Sequence, residues 1–237
     1  MNQSTVITSM LIQQSDGNMT HPVAAYLEHF EHLVATGLPI IVYLAPSLAG
    51  RVRASNVTVI PTALEDLPLW RDMQGMDLRL PANRNPVKDT ADYLAMVNSK
   101  TELVRRTIAM TDADAMHAFV DFGIFHVIRD KARAQNRIRA ISGTYAELVT
   151  LPGCAREVSD YIDRVNWRFC GGFFYGPAAA MRTFANLHQQ RARTLLPTLS
   201  WEVNTWAWME CHGELACQWY QADQDDSIFN FPEICPP

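Results

Sequence analysis

The segment Leu38–Leu44 (LPIIVYL) is the strongest constraint on what this chain can fold into. A short, β-branched, almost wholly apolar run is the mark of a strand covered on both faces, so elements must pack above and below it. The residues in front supply one of them. Pro22–Thr36 carries Ala25, Leu27, Phe30, Leu33 and Val34 on a broad helical stripe, with Pro22 suited to the first turn and Gly37 to the stop. Val6–Met10 reads as an earlier strand, Gln13–Thr20 as a polar loop, and Val57–Ile60 as a further, weaker strand. β, α, β at these lengths predicts parallel strands joined by crossover helices.

The remainder continues the pattern. A long helical stretch runs from Asp89–Thr90 to about Met110, with a break expected near Asn98–Ser99, and Ala118–Asp121 (AFVD) returns to strand. Phe169–Tyr175 (FCGGFFY) reads as a strand entered through glycines, followed by Gly176–Pro177 and a helix to about Leu196. Ser200–Cys211 reads as another helix and Cys217–Ala222 as a last short strand. No repeat, low-complexity tract or linker divides the chain. The expected fold is one α/β domain over residues 1–237, with a central, mostly parallel mixed sheet flanked by helices.

Composition narrows the class. Hydrophobic residues make up 48% and charged residues 19%, enough for a core that removes roughly 70–75% of the unfolded surface without disulfides or a structural metal. A formal charge of −5 argues against a protein that coats nucleic acid by neutralising phosphates. The first twenty residues hold no basic region followed by a long apolar one. The longest apolar stretch, Leu38 to Pro46, falls short of the ~20 residues that span a bilayer, so neither secretion nor a transmembrane segment is expected. Five cysteines without framework spacing suit a reducing compartment, where they serve as small core residues; the cytoplasm is the expected location. Arg129–Arg139, with five basic residues and one acidic, reads as a solvated helix or mobile loop, with a phosphate or anionic-surface contact as the other reading. Four of the six tryptophans fall between Trp201 and Trp219, where core packing is the ordinary reading and a sugar-stacking wall the other.

Several motifs mislead. Asp121-Phe122-Gly123 is the tripeptide of protein kinases, but Arg129-Asp130 follows it instead of preceding it and no Gly-rich phosphate loop opens the chain. His212-Gly213-Glu214 is half of a zinc deaminase signature without the Pro-Cys-x-x-Cys that supplies the remaining ligands. Cys211, His212 and Cys217 have irregular metal spacing and read as buried cysteines beside a surface histidine. Gly171-Gly172 lacks the spacing of a dinucleotide-binding turn, and there is neither a Walker A sequence nor a Gly-x-Ser-x-Gly elbow.

Asp121 stands at the carboxyl end of the apolar run Ala118–Val120, beside Gly123, which permits a turn. Ligands of open α/β sheets bind beyond the carboxyl ends of the strands, so this carboxylate falls where chemistry usually happens. It suits a hard divalent cation that neutralises a diphosphate leaving group, or a simple turn cap.

These residues belong to a wider pattern: Ala25–Leu44, Asn85-Pro-Val-Lys-Asp-Thr90, Asn98-Ser-Lys100, Val120-Asp-Phe-Gly-Ile-Phe-His126, Gly171-Gly-Phe-Phe-Tyr-Gly176, Trp201-Glu-Val-Asn-Thr-Trp206 and Tyr220 to Pro232. In order and spacing, from about Val6 to Pro232, they resemble the HtrL/YibB family, whose members look like nucleotide-sugar-dependent glycosyltransferases of the GT-A fold. The resemblance implies a nucleotide-binding half over about 1–125 and an acceptor-side half over about 126–237. It also implies a nucleotide-sugar donor, a glycan hydroxyl acceptor, and Mn²⁺ or Mg²⁺ held against the donor diphosphate by Asp121. Position 123 is glycine where a second acid would stand, and Gln224 stands where a histidine is expected, so Asp223 or Asp225 becomes the further metal ligand. Thr8 and Ser9, on the first strand, are expected at the nucleoside. Lys100 is expected either on the diphosphate or as an ordinary exposed lysine. Gly171 and Gly172 allow close approach of a sugar ring, or else mark a strand kink.

Glu202 lies between Trp201 and Asn204 in an apolar neighbourhood, where an acid without a partner is costly. It is the expected catalytic carboxylate, removing the proton of the acceptor hydroxyl in an inverting transfer or steadying an oxocarbenium-like centre in a retaining one; a buried acid satisfied by backbone is the structural alternative. A binding module of the same fold that has lost turnover is the rival to an enzyme.

Overall fold

The computed structural model describes residues 4–13, 22–112, 114–144, 146–155 and 158–232. In chain order its principal elements are β1 (Thr5–Leu11), α1 (Val23–Val34), β2 (Ile40–Leu44), β3 (Val57–Pro61), α2 (Pro68–Asp72), α3 (Ala91–Asn98), α4 (Lys100–Met110), β4 (Met116–Val120), α5 (Lys131–Arg139), β5 (Val149–Gly153), β6 (Phe173–Pro177), α6 (Ala178–Leu195), α7 (Glu202–Cys211) and β7 (Cys217–Gln221). Most of the expected loop Gln13–Thr20 lies outside the described residues.

The seven strands form one sheet in the order β3-β2-β1-β4-β6-β5-β7. β3, β2, β1 and β4 run parallel; β6 is antiparallel to both neighbours, β4 and β5, and β7 is parallel to β5. β6 is therefore the one reversed strand, and the sheet is mixed but mostly parallel.

Period-two alternation divides the core between the sheet's two faces. On β4, Ala118 and Val120 join Ile7, Val42, Phe30 and Ile138 on one side. Phe119 joins Met10, Tyr43, Leu103, Phe174 and Trp206 on the other. All five residues of β2 and of β4 are buried, His117 of β4 included. α1 ends at Ala35 with Gly37 at φ +74°, a left-handed conformation that glycine adopts without cost.

The long helical stretch is two helices, α3 and α4, parted at Ser99. β5 has no counterpart in the sequence reading. Its core is two apolar residues followed by Pro152 and Gly153, both depleted from strands, and it exists because β6 and β7 flank it. Gly176-Pro177, expected to follow the strand, completes β6. A Cβ on Gly176 would lie 3.1 Å from the Leu148 carbonyl, so glycine lets β5 approach. Of the four described cysteines only Cys170 is buried; Cys211 is exposed, so a core role fails for it.

The basic run forms α5 and holds neighbouring chain. Arg139 donates to the carbonyls of Thr36 (2.9 Å) and Ala35 (2.7 Å) at the end of α1, and Arg137 donates to Phe229 O (3.0 Å) with its guanidinium 4.3 Å from the Phe231 ring centre. Trp206 is fully buried and Trp201 nearly so, in keeping with the core reading of these two. No helix of the described residues is long and apolar enough to cross a membrane.

Candidate functional site

The helix break at Ser99 aims Lys100. Ser99 Oγ donates to Ala95 O (2.8 Å), and Asn98 Nδ2 bridges Leu94 O (2.8 Å) and Ser200 O (2.7 Å), tying the junction to the start of α7. Lys100 is 4% exposed and its Nζ donates to Glu202 Oε1 (2.7 Å) and Gly171 O (2.9 Å), with Asp121 Oδ1 at 3.4 Å. Burial disfavours the ammonium, but Asp121 and Glu202 together outweigh it and hold the Lys100 pKa above its ordinary value. One ammonium against two carboxylates leaves the trio a formal charge of −1.

Asp121 follows β4 directly. Its backbone N–H donates to Gly172 O (2.9 Å) and its carbonyl accepts from Ile124 N (3.1 Å), which fixes the turn. Its side chain is 36% exposed against 6% for Glu202. Gly171 and Gly172 make room for these acids. A Cβ on Gly171 would lie 2.3 Å from Glu202 Oε1, and one on Gly172 would lie 2.6 Å from Ile124 Cδ1 and 3.4 Å from Asp121 Oδ2. Gly123 has an ordinary backbone conformation, φ −98°; what requires glycine is the Tyr26 ring, which a Cβ would meet at 2.8 Å.

These groups line a cavity of about 380 Å³ beyond the carboxyl ends of β1 and β4. There the order of strand addition reverses, which is where open α/β sheets take their ligands. Asp121 and Glu202 are the acids among its described lining residues, and Lys88, Lys100 and His126 the basic ones; Tyr26, Tyr93, Trp167 and Trp201 give it aromatic walls. Burial, then the charges of Glu202, Asp121 and Asp89, push the Tyr93 phenol well above its ordinary pKa, so it stays protonated.

The structure thus gathers Lys100, Asp121, Gly123, Gly171, Gly172 and Glu202 at one cavity. Glu202, expected as the catalytic carboxylate or as a buried acid satisfied by backbone, has Lys100 as its partner. Lys100 is neither exposed nor free for a diphosphate, because its ammonium is spent on acceptors of this chain. Thr8 and Ser9 do not reach the cavity: both are fully buried within β1, which runs on to Leu11, and Ser9 Oγ donates to Val120 O (2.7 Å). Met10, Leu11 and Ile12 line the cavity in their place.

Asp223 and Asp225 do not line it either. Asp223 Oδ1 accepts from Gln224 N (2.7 Å), and Asp225 Oδ1 accepts from Ser227 N (2.9 Å) and Ser227 Oγ (2.6 Å), so both serve their own turn while Gln224 faces the cavity. Among the described residues no group of three or more His, Cys, Asp or Glu side chains is placed to hold a metal ion. An Mn²⁺ or Mg²⁺ held jointly by Asp121, Asp223 and Asp225 does not fit this arrangement, and a cation on Asp121 would also face the Lys100 ammonium. Sequence reasoning missed Tyr93 and Trp167. An isolated aromatic has no local signal that separates a cavity wall from the core.

No known family's sequence model matches the chain, and no curated protein matches it. Among solved structures it is similar to Rv0371C from Mycobacterium tuberculosis H37Rv, crystallised in complex with manganese, at 9% identity and a TM-score of 0.49, covering 94% of this chain and 90% of that one. It is also similar to the bifunctional IspDF from Campylobacter jejuni at 8% identity and a TM-score of 0.46, covering 93% of this chain but only 50% of that one.

Proposed function

We propose that the chain is a GT-A-like glycosyltransferase, moving a sugar from a nucleotide-sugar donor to a glycan hydroxyl. One observation carries the reading: among the described lining residues Asp121 is the carboxylate that is substantially open, and it stands directly after β4 at the strand-order reversal. The motif order shared with the HtrL/YibB pattern supports the same substrate class. In this reading the acceptor oxygen attacks the anomeric carbon and its proton passes to Asp121. The bond from that carbon to the phosphate oxygen breaks, and nucleoside diphosphate leaves with the electron pair. Lys88, an exposed lysine on the cavity wall with its Nζ 5.3 Å from the Tyr93 ring centre, is a cation placed to meet the departing diphosphate. Glu202 moves from catalytic to positioning residue, because Lys100 takes one of its oxygens and turns the pair inward.

The test is release of nucleoside diphosphate from a panel of nucleotide sugars, with and without Mn²⁺, by wild type and by Asp121→Asn. Release by wild type, lost in the variant, is the expected result. Ligands that raise the melting temperature while no member of the panel is turned over would instead make this a binding module of the same fold. That second reading draws on the engagement of Glu202 by Lys100 and on the scattered acids.

A further inference from the structure

Trp167 is held out over the cavity at a cost in backbone conformation. It is the one described non-glycine residue at positive φ (+52°), a region that a bulky side chain rarely enters, and it is 43% exposed. The chain around it is pinned on both sides. The Trp167 carbonyl accepts from Cys154 N (3.2 Å) and Ala155 N (3.1 Å), and Asn166 N–H donates to Asn204 Oδ1 (3.0 Å). Arg168 N–H donates to Asn166 Oδ1 (3.0 Å), while the Arg168 guanidinium forms a two-pronged pair with Glu210 (2.6 Å each) and lies 4.0 Å from the Trp219 ring centre. Gly153 completes the arrangement, since a Cβ there would lie 2.3 Å from Arg168 O. These contacts fix the backbone at 166–168 and leave the indole without a place in either core cluster.

We propose that Trp167 is the stacking platform for the acceptor sugar, a substrate-class assignment that rests on the glycosyltransferase reading above. A pyranose presents an apolar C–H face and a hydroxyl rim, and the cavity offers the matching pair: a flat indole, with the Asp121 carboxylate and the Gln224 amide on the same lining. Charge separates the acceptor from the nucleotide. The Lys100–Asp121–Glu202 trio is formally −1, so a neutral polyol suits its neighbourhood better than a diphosphate does. Exposure of a large aromatic on a cavity lining, in a conformation that the fold must enforce, is the expected signature of a binding residue that costs stability.

Saturation-transfer NMR with methyl glycosides of common hexoses and N-acetylhexosamines in one arm, and UDP, GDP, ADP and CDP in the other, tests this on wild type, Trp167→Phe and Trp167→Gly. Glycine tolerates positive φ, so Trp167→Gly should fold with a melting temperature at or above that of wild type. It should also lose the saccharide saturation-transfer signal, by about tenfold or more in affinity, while nucleotide binding stays within about twofold. Trp167→Phe should retain part of the saccharide signal. Loss of nucleotide binding with saccharide binding intact would make Trp167 a nucleobase platform and overturn the proposal. So would unchanged saccharide binding in Trp167→Gly, or no saccharide signal in wild type. Saccharide binding lost in Trp167→Gly, in a protein that never turns over a donor, would uphold the platform while the transferase reading fails.

Discussion

Lys100 Nζ and Glu202 Oε1 meet at 2.7 Å across 102 positions of sequence, both almost wholly buried, with Asp121 sharing the ammonium at 3.4 Å. With its pKa raised from the ordinary lysine value by Asp121 and Glu202, Lys100 neither gives nor takes a proton near neutrality. Its work is to hold two acids in place, one turned into the protein and one toward the cavity.

Removing the ammonium should therefore cost stability first. Lys100→Met leaves two acids without the ammonium they share, and breaking such a buried pair costs about 3–5 kcal/mol. Lys100→Met combined with Glu202→Gln should recover a large part of that loss. Urea denaturation of wild type, both single variants and the double variant reads the coupling directly; strictly additive losses would mean the pair is not an interacting unit.

Asp121→Asn separates chemistry from stability. The side chain is partly exposed, so its melting temperature should stay close to that of wild type, while turnover falls about 10²–10⁴-fold, the usual scale for losing a proton acceptor. Single-turnover rates on folded protein check it. Rates within threefold of wild type would remove Asp121 from the chemical step.

At position 171 even a methyl group is excluded. Gly171→Ala puts a carbon 2.3 Å from Glu202 Oε1 and should destabilise by about 1–3 kcal/mol while weakening turnover. Gly50→Ala, with nothing within 4 Å and an ordinary φ, is the control and should stay within about 0.5 kcal/mol. Thermal melts of the two variants side by side decide it.

Two buried histidines weaken the fold in acid. Burial lowers His188 to about 3 and His117 to about 4 from the usual 6.5, so both stay neutral in the fold while the unfolded chain takes up protons. Their contribution is complete above about pH 6.5 and is lost as pH falls, His117 ceasing to add to the loss near 4 and His188 near 3. Each contributes a slope of about 1.4 kcal/mol per pH unit within its window. Neutral His188 donates from Nε2 to Asn98 Oδ1 (3.2 Å) and accepts at Nδ1 from Thr101 Oγ1 (2.8 Å), an arrangement that protonation would break. Denaturant titrations from pH 7 to 4 should show His188→Gln less stable at pH 7 but with a shallower slope; an unchanged slope would remove His188 from the acid response.

Local pattern determined much of this protein. The apolar runs at Leu38–Leu44 and Ala118–Val120 are strands because an uninterrupted β-branched or aromatic run can only be satisfied when both faces are covered. The break before Lys100 and the position of Asp121 after its strand follow from the same local signals. Tertiary structure alone decided the rest. β5 is a strand because its neighbours offer ladder partners, which its own proline and glycine do not announce. Lys100 found Glu202 because the α3–α4 junction and the start of α7 meet over Gly171, a pairing with no trace in either segment. In the acidic tail, hydrogen bonds within one turn directed Asp223 and Asp225 to their own backbone and side chains and left Gln224 facing the cavity. Periodicity is a property of neighbours along the chain, whereas the direction of a side chain at a turn depends on which distant backbone groups compete for it.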